Sequence, residues 1–394
     1  MDKGTTITKR TATRQVLCGG VAIGGGAPVV IQSMTNTNTE DVAATAKQVA
    51  RLAEAGADVV RVAVPSIEAA ESIGAIKEWI ASSRKGRAPR NDGVGKDSVS
   101  NDGVCVPIVA DVHFDYKIAI KAIEAGADKV RINPGNIGGP DGLKAVCDAA
   151  GAAGIPMRIG VNGGSLQEDL RVLYKDRPAE ALAESALRSI DFVRDTGFND
   201  IVVSIKSSDV LVNTEAHRLL AAGTDCPLHI GITEAGFGSS AVVKSAAGIG
   251  ALLAMGIGDT LRVSLTGDPL PEVTAARDIL RSFSLLPGAI TLISCPTCGR
   301  CHVELATICE EVSAALGETE RVRFAAVKQG AQLRPITVAI MGCAVNGPGE
   351  ASHADLGVAC GVDNGVYFEH GVRGDSVPAD RIVQTILERV AKLL

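Results

Sequence analysis

The sequence predicts an α/β fold in which an N-terminal (β/α)8 barrel precedes a smaller α/β domain. The chain has 394 residues, enough for a barrel of about 250 residues and a second domain. A weak internal repeat runs through its first part, where a helix ends at a glycine, an aspartate follows and an apolar strand begins. The copies lie at residues 51–65, 121–135, 192–208 and 251–267. Repeated units of this kind indicate a parallel sheet.

Eight strand candidates account for roughly the first 265 residues, the size expected of such a barrel. They are residues 29–32, 58–64, 107–112, 129–133, 156–161, 200–206, 227–233 and 260–265. The gaps between them leave room for one helix each, such as those predicted at 40–55 and 179–195. An open doubly wound sheet is the alternative, but no G-x-G-x-x-G follows the first strand. Residues 12–16 and 21–23 are expected to form a hairpin that covers the amino end of the barrel.

The rest of the chain divides into an insertion and a second domain. Residues 82–103 are polar and glycine-rich, and we expect them to be a flexible excursion from the barrel domain, which spans 1–283. Residues 284–394 form the second domain, with a helix from Val303 and a closing amphipathic helix over 379–394. Its strands are predicted around Thr291, Val322, Ile336 and Val366.

Composition excludes several classes of protein. Hydrophobic residues make up 46% of the chain, so a packed core is expected. Aromatic residues are only 3% and the net charge is -6, which leaves few rings and no basic excess for a nucleic-acid partner. Uncharged stretches are shorter than the roughly 18 residues of a membrane span, and no apolar run follows the basic N-terminal segment. We therefore expect a cytoplasmic protein that does not contact membranes.

Polar side chains gather where the predicted barrel strands end, which is the reactive side of this fold. In chain order they are Arg61, Asp111, His113, Arg131, Asn133, Asn136, Arg158, Asn162, Ser204, Lys206, Ser208, His229, Glu234, Arg262 and Ser264. Burying four arginines and a lysine together is costly without an anion. Because arginine forks and glycine-rich turns both suit phosphate, we expect a small anionic ligand. The alternative is that each arginine pairs with a carboxylate from a neighbouring strand.

Glu234 is the candidate catalytic residue of the barrel. It stands at a predicted strand tip, between Thr233 and a glycine-rich run. A carboxylate at such a position can act as a general acid or base. His113 taken alone is more often a hydrogen-bonded core residue than a catalyst.

Four of the ten cysteines have spacing that indicates a metal centre, since a disulfide framework is not expected in the cytoplasm. Cys295 and Cys298 form a C-x-x-C loop, and Cys343 lies in the segment MGCAVNGPGE. Three thiolates can hold three irons of a cubane, and Glu350 offers an oxygen donor in the same loop. Cys301 keeps a second possibility open, because CPTCGRCH can supply three cysteines and a histidine to zinc. A redox-active disulfide is a third interpretation.

These motifs together resemble one family, the 4-hydroxy-3-methylbut-2-enyl diphosphate synthases, which are iron–sulfur enzymes of the non-mevalonate isoprenoid pathway. The resemblance covers nearly the whole chain, and CPTC with MGCAVNGPGEA is its most specific part. The insertion at 82–103 is the main departure from the family. The segments that carry the resemblance are QSMTNT, RVAVP, ADVHFDYKIA, KVRINPGNIG, RIGVNGGSL, SIKSSD, GITEAG, SCPTCGRC and MGCAVNGPGEA.

The resemblance implies a [4Fe-4S] cluster on Cys295, Cys298, Cys343 and Glu350, without Cys301. It implies that 2-C-methyl-D-erythritol 2,4-cyclodiphosphate binds in the barrel mouth and is reduced with electrons from flavodoxin or ferredoxin. It further implies a homodimer in which one subunit's cluster domain closes over its partner's barrel.

The resemblance also implies roles for individual side chains. Glu350 would be the displaceable cluster ligand, and Glu234 would donate or position the proton for loss of water. The diphosphate would be held by the five cations Arg61, Arg131, Arg158, Lys206 and Arg262, with Asn133 and Asn162 assisting.

Two other functions remain open on the residues alone. One is a zinc-stapled barrel hydrolase or transferase that acts on a phosphorylated small molecule, and the other is a non-catalytic scaffold with a zinc ribbon.

Overall fold

The computed structural model describes residues 9–85, 106–301, 303–343 and 347–393. These residues divide into two compact units, one ending at Phe283 and the other beginning at Ser284. None of the described helices combines the length and apolar character needed to cross a lipid bilayer.

The first unit is a barrel of eight parallel strands alternating with helices, which confirms the predicted fold class. Its strands are β3 (Val30–Met34), β4 (Val59–Ala63), β5 (Ile108–Asp111), β6 (Lys129–Ile132), β7 (Met157–Asn162), β8 (Ile201–Lys206), β9 (His229–Ile230) and β10 (Thr260–Leu261). They are hydrogen-bonded in the order β8-β7-β6-β5-β4-β3-β10-β9, and a single bridge between Val203 and Leu228 joins the two outer strands. The last two strands are shorter than predicted, because only two residues of each join the ladder.

The helices of this unit follow the strands in regular alternation. They are α1 (Val42–Ala55), α2 (Ile67–Lys85), α3 (Tyr116–Glu124), α4 (Gly139–Ala153), α5 (Glu168–Leu173), α6 (Pro178–Arg194), α7 (Val210–Gly223), α8 (Gly238–Ala254) and α9 (Leu270–Ser282). Because α2 continues to Lys85, the first residues of the predicted insertion are helical. The rest of the insertion, 86–103, lies outside the described residues.

The internal repeat has a physical basis at the turns between helix and strand. Gly56 and Gly126 have φ values of 109° and 91°, the left-handed conformation that ends a helix. The aspartate of the repeat then caps the neighbouring strand. Asp58, Asp128 and Asp259 each accept a hydrogen bond from a backbone N–H within one residue of the start of that strand, at 2.8, 2.8 and 2.9 Å.

A hairpin of β1 (Gln15–Cys18) and β2 (Val21–Gly24) lies against the amino ends of the barrel strands. The first strand of the hairpin begins three residues later than the predicted range 12–16 and ends at Cys18. Gly19 and Gly20 have φ values of 53° and 89° and form the whole turn, so the strand continues through Cys18. The hairpin and the barrel form an apolar floor, which consists of Val16, Cys18, Ile23, Val30, Val59, Val109 and Val202.

The second unit is a five-stranded mixed sheet with helices. Its elements are β11 (Ile290–Ser294), α10 (Leu305–Lys328), β12 (Ile336–Met341), α11 (Gly347–Glu350), β13 (Leu356–Ala359), β14 (Asn364–Glu369), β15 (Val372–Pro378) and α12 (Ile382–Val390). The strand order is β11-β12-β13-β14-β15, and the first three strands are parallel. The strand predicted around Val322 is wrong, because this residue lies within α10. The strands β13 and β15 were not predicted.

Candidate active site

A cavity of about 160 Å³ lies at the carboxyl ends of the barrel strands. It brings together ten of the twelve residues predicted to bind substrate. These ten are Arg61, Asp111, His113, Arg131, Arg158, Asn162, Ser204, Lys206, Arg262 and Ser264. They come from six different strands or the loops that follow them, so the closure of the barrel is what assembles the cavity.

Asp111 is the buried centre of one half of this cavity. Its carboxylate lies 3.7 Å from Arg61 Nε, 3.2 Å from Arg131 Nη1 and 3.2 Å from His113 Nε2. Burial opposes its ionisation, but the charge of Arg61, the hydrogen bond from His113 and the charge of Arg131 hold the pKa of Asp111 well below its ordinary value. The predicted alternative of arginines paired with a neighbouring carboxylate therefore applies here, with one carboxylate shared between two guanidinium groups.

Arg262 is held on the opposite side by a carboxylate that the sequence did not single out. Its Nη2 and Nε lie 3.1 and 3.2 Å from the two carboxylate oxygens of Glu272, a buried residue of α9. The thioether of Met34 also lies against this group, with its Sδ at 2.8 Å from Arg61 Nη2 and 3.6 Å from Arg262 Nη1. Because a thioether is only a weak acceptor, both guanidinium groups retain capacity to bind a ligand.

Among the described residues, neither Arg158 nor Lys206 forms an ion pair with a carboxylate, unlike Arg61, Arg131 and Arg262. Arg158 is 1% exposed, and within the described ranges its Nε and Nη1 have no hydrogen-bond partner. Burial and the charges of Arg61 and Arg131 lower the pKa of Arg158 well below its usual value. Burial and the charges of Arg262 and Arg61 do the same to the pKa of Lys206. The interior of the barrel is therefore short of negative charge at this point.

The charge balance of the cavity favours an anionic ligand. Five cations line it, and among the described residues two carboxylates, Asp111 and Glu272, pair with them. When all of these groups are ionised, three positive charges remain in excess. A buried excess of this size is unfavourable unless an anion offsets it.

Five of the polar residues predicted at the strand ends do not line this cavity, namely Asn133, Asn136, Ser208, His229 and Glu234. Asn133 accepts a hydrogen bond from Gly135 N at 3.2 Å and so caps the short 3-10 turn Pro134–Asn136. His229 is fully buried, and its Nδ1 lies 3.4 Å from Thr260 Oγ1. Glu234 is exposed and has a φ of 51°, while its neighbour Thr233 does line the cavity.

Sequence reasoning missed Thr233, Glu272 and Gly160 as parts of the site. Gly160 lies on β7 between Arg158 and Asn162, and an added Cβ would lie 2.7 Å from Arg131 Nε. Glycine at this position allows the Arg131 guanidinium to cross the strand. The sequence contains a signal for Gly160, because RIGVN interrupts an apolar strand with a glycine, which indicates close approach of another group. Glu272 gives no such signal in the sequence.

The predicted cluster ligands lie at one edge of the sheet in the second unit. Cys295 directly follows β11, and Cys343 follows β12 after one residue. The two strands are parallel neighbours with Ser294 paired to Ile340, so their carboxyl ends meet at the same edge. Gly342 N donates a hydrogen bond to Cys295 Sγ at 3.2 Å, which links the two loops directly.

Arg300 brings the other two predicted ligands into the same neighbourhood. A hydrogen bond to Cys298, followed by the charges of Cys298, Cys343 and Glu350, raises the pKa of this exposed guanidinium above its usual value. Cysteine thiolates with one carboxylate are a donor set that suits iron. Across the described residues, however, no three His, Cys, Asp or Glu side chains converge closely enough to hold one metal ion.

Cys301 lies on the inner side of this loop. It packs against the apolar core of the second unit and donates to Val303 O at 3.4 Å. A Cβ on Gly342 would lie 2.7 Å from Cys301 Sγ, so the two backbone segments are in close contact. Cys301 also contributes, after burial, to raising the pKa of Cys360 to about 11.

Comparison with known proteins gives matches along both units. The sequence pattern of the GcpE TIM-barrel domain matches residues 13–277, and that of the GcpE protein C-terminal domain matches residues 291–392. A protein of Caldanaerobacter subterraneus named 4-hydroxy-3-methylbut-2-en-1-yl diphosphate synthase (flavodoxin) is 46% identical over 388 residues, 98% of this chain and 99% of that protein. A protein of Bacillus subtilis with the same name is 46% identical over 384 residues, 98% of this chain and 92% of that protein.

Solved structures similar to the chain cover about two thirds of its length. Dihydropteroate synthase from Stenotrophomonas maltophilia aligns with a TM-score of 0.49 at 17% identity, over 69% of this chain and 97% of that one. N-acetylneuraminic acid synthetase from Leptospira borgpetersenii aligns with a TM-score of 0.46 at 12% identity, over 68% of this chain and 89% of that one.

Proposed function

The chain belongs to the GcpE family, and on that premise we propose that it catalyses the reductive ring opening and dehydration of 2-C-methyl-D-erythritol 2,4-cyclodiphosphate. The product is 4-hydroxy-3-methylbut-2-enyl diphosphate. The bond between C2 and its phosphate oxygen breaks, the C3 hydroxyl leaves as water, and a C2–C3 double bond forms. Two electrons and two protons balance the reaction.

The positive excess of the cavity is the observation that carries this proposal. A cyclic diphosphate has one ionised oxygen on each phosphorus, which complements Arg61, Arg131, Arg158, Lys206 and Arg262. We propose that these five cations hold the diphosphate. The hydroxyls of Ser204 and Ser264 and the side chains of Asn162 and His113 line the same cavity and would bind the sugar-derived part. Asp111 would keep Arg61 and Arg131 in place by its two ion pairs. Asn133 and His229 would support the site from outside it.

We propose Glu234 as the proton donor for loss of water. Its left-handed backbone, with a φ of 51°, is rare for a residue with a side chain and costs on the order of 1 kcal/mol. Such strain is typical of functional positions and supports a role beyond packing. The residue follows Thr233, which lines the cavity, and its exposed carboxyl can exchange protons with solvent.

We propose that Cys295, Cys298, Cys343 and Glu350 hold a [4Fe-4S] cluster. The shared sheet edge and the position of Arg300 among three of the four groups support this set. When bound, such a cluster supplies one-electron transfer and a Lewis-acidic iron. Glu350 is the one oxygen donor of the set and would be the exchangeable ligand. The names of the relatives support flavodoxin as electron donor, with ferredoxin as the alternative.

The proposal assigns substrate binding to residues 1–283 and the cluster to 284–394 in a cytoplasmic homodimer. The cluster domain of one subunit would serve the barrel of its partner. Mixing subunits tests this arrangement. A Glu234→Gln protein and a Cys343→Ser protein, each inactive alone, should regain activity in heterodimers that contain one intact barrel and one intact cluster domain. Failure to regain activity in demonstrated heterodimers would contradict the shared site.

Turnover by anaerobically purified protein tests the function itself. We expect iron and sulfide in cubane stoichiometry, a paramagnetic signal on reduction, and conversion of the cyclodiphosphate with reduced flavodoxin. Cys343→Ser should lose iron and activity. Cys309→Ser is the matched control, a partly buried cysteine of α10 that should retain both. Stoichiometric zinc without iron would refute the redox function and favour a zinc-containing hydrolase or transferase.

A further inference from the structure

A layer of buried polar side chains lies inside the barrel beyond the residues that line the cavity. Gln32, Lys129 and His229 are 2%, 0% and 0% exposed, and none of them lines the cavity. Lys129 pairs in register with Val109, which belongs to the apolar floor. Barrel interiors are usually filled by branched aliphatic residues, so a lysine at this level needs a separate explanation.

Several polar atoms of this layer have no hydrogen-bond partner among the described residues. Within the part of the chain that the structure describes, Lys129 Nζ, His229 Nε2 and both amide atoms of Gln32 make no hydrogen bond. Arg158 does line the cavity, and its Nε and Nη1 atoms also make no hydrogen bond within the described residues. An unpaired ammonium ion in such surroundings is far less stable than in water, whereas a neutral amine is tolerated more easily and can accept a hydrogen bond from a guanidinium group.

The charges around Lys129 do not compensate its own. The ionisable groups whose charges affect the pKa of Lys129 are Cys18 from the hairpin, Arg158 from β7 and Arg61 from β4. The charge of Lys129 in turn affects the pKa of His229 on β9. Burial raises the pKa of the Cys18 thiol to about 11, and burial together with the charge of Arg158 lowers the pKa of His229 well below its usual value, so both are neutral near pH 7. Burial, partly opposed by Cys18 and reinforced by the two arginines, lowers the pKa of Lys129 to about 8.

We propose that Lys129 is a positioning residue that links anion binding to proton binding: the empty cavity destabilises its ammonium ion relative to the neutral amine, and a diphosphate held by Arg158 and Arg61 stabilises the ammonium ion again. At a pH where the amine of the empty protein is neutral, a diphosphate then enters the barrel together with a proton that the Lys129 amine takes from solvent. The inference rests on the part of the proposed function that puts a diphosphate in the cavity, and it is independent of the reductive chemistry.

The coupling between anion binding and proton binding predicts that the affinity for the anion falls as the pH rises. Below about pH 8 the lysine is already protonated in the empty protein, and binding requires no proton. Above this pH the amine of the empty protein is neutral and takes up a proton when the anion binds. The affinity for the anion therefore falls by up to tenfold for each pH unit, until the lysine is neutral in the complex as well. Both ionisations of a cyclic diphosphate are strongly acidic, so the ligand itself does not contribute to this pH dependence.

The experiment measures the protonation of Lys129 directly. Anaerobic holoprotein without reductant, labelled with 13C at the lysine ε-carbon, is titrated from about pH 6 to 10 with and without saturating inorganic pyrophosphate. The Lys129 resonance is assigned by its absence in Lys129→Met. We expect a midpoint near 8 in the empty protein and a rise of at least one pH unit with pyrophosphate. An ordinary midpoint in the empty protein, or an unchanged midpoint on binding, would overturn the proposal, and so would the failure of pyrophosphate to bind.

Calorimetric titration with the cyclodiphosphate provides the second measurement. The dissociation constant of the unaltered protein should rise more steeply above pH 8 than that of Lys129→Met, while Lys144→Met, which removes an exposed lysine of α4, should follow the unaltered protein. Parallel profiles for the unaltered protein and Lys129→Met would also overturn the proposal. If pyrophosphate shifts the lysine but the cyclodiphosphate does not bind, the proposed function fails and the proton linkage stands.

Discussion

Replacing Lys129 by methionine should stabilise the barrel at neutral pH. The lysine is fully buried, its ammonium group has no partner in the described structure, and methionine keeps the length of the side chain without the charge. Removal of an uncompensated buried charge is one of the few single changes that can increase stability substantially.

The magnitude follows from the pKa. In the unfolded chain the lysine titrates near its ordinary value of 10.5, and burial in the folded barrel lowers its pKa to about 8. A difference of this size corresponds to about 3 kcal/mol in favour of the unfolded state when both states carry the proton. That full cost applies below about pH 8. As the pH rises towards 10.5 the folded chain releases the proton before the unfolded chain does, and the cost disappears. Lys129→Met should therefore gain about 2 to 3 kcal/mol at pH 7, and this gain should decline above pH 8.

The single tryptophan provides the assay. Trp79 lies on α2, so its fluorescence during urea unfolding reports the barrel unit alone. The free energy of unfolding is compared between pH 7 and about 9.5 for the unaltered protein, Lys129→Met and the surface control Lys144→Met, which should change by less than about 0.5 kcal/mol. A loss of stability in Lys129→Met at pH 7, or a gain that does not depend on pH, would show that the buried ammonium is compensated and that the reasoning is wrong.

Three further substitutions test the candidate site. Glu234→Gln should lower turnover by about 100-fold or more, the usual loss of a general acid, while the absorption spectrum of the cluster stays the same; full activity would remove Glu234 from the mechanism. Cys301→Ser should retain its iron in a metal analysis, since this thiol faces the core and donates to Val303 O, whereas loss of iron would favour the three-cysteine ligand set. Gly160→Ala should weaken cyclodiphosphate binding by about tenfold in calorimetry, because the added Cβ would lie 2.7 Å from Arg131 Nε and displace that guanidinium; unchanged affinity would show that Arg131 can move without loss.

The barrel could be predicted because its signals are local and repeated. The glycine that ends each helix and the aspartate that caps the next strand act within a few residues, and three copies of that aspartate make the same hydrogen bond. The cavity followed from the fold, since side chains at the ends of parallel strands must meet at one side of a barrel. Glu272 could not be found in this way. It lies on α9 and reaches Arg262 through the folding of the chain, and nothing in its own segment distinguishes it from a surface glutamate.

Val322 in the second unit shows why an alternating pattern of apolar and charged residues does not by itself predict a strand. Alternation of apolar and charged residues there suggests a strand with valine inside and arginine outside. The structure has the reverse, because Val322 is 53% exposed and Arg323 is buried within a 24-residue helix. Arg323 Nε donates to Gly288 O at 2.9 Å and its Nη2 to Arg334 O at 2.6 Å, so carbonyl groups distant in sequence satisfy the buried guanidinium. No sequence pattern records such partners.

The apolar floor formed by the hairpin also affects how an anion reaches the barrel. The apolar floor is a region of low dielectric constant that closes one end of the barrel. The electric field of the five cations is therefore directed into solvent through the opposite end. The chain as a whole has a net charge of -6, so the cationic opening of the barrel differs in sign from the chain's overall charge. The attraction of an anion to this opening reaches about one Debye length, roughly 8 Å at physiological ionic strength. The hairpin, which lies at the other end of the barrel from the cavity, is thereby expected to contribute to the speed and direction of anion capture.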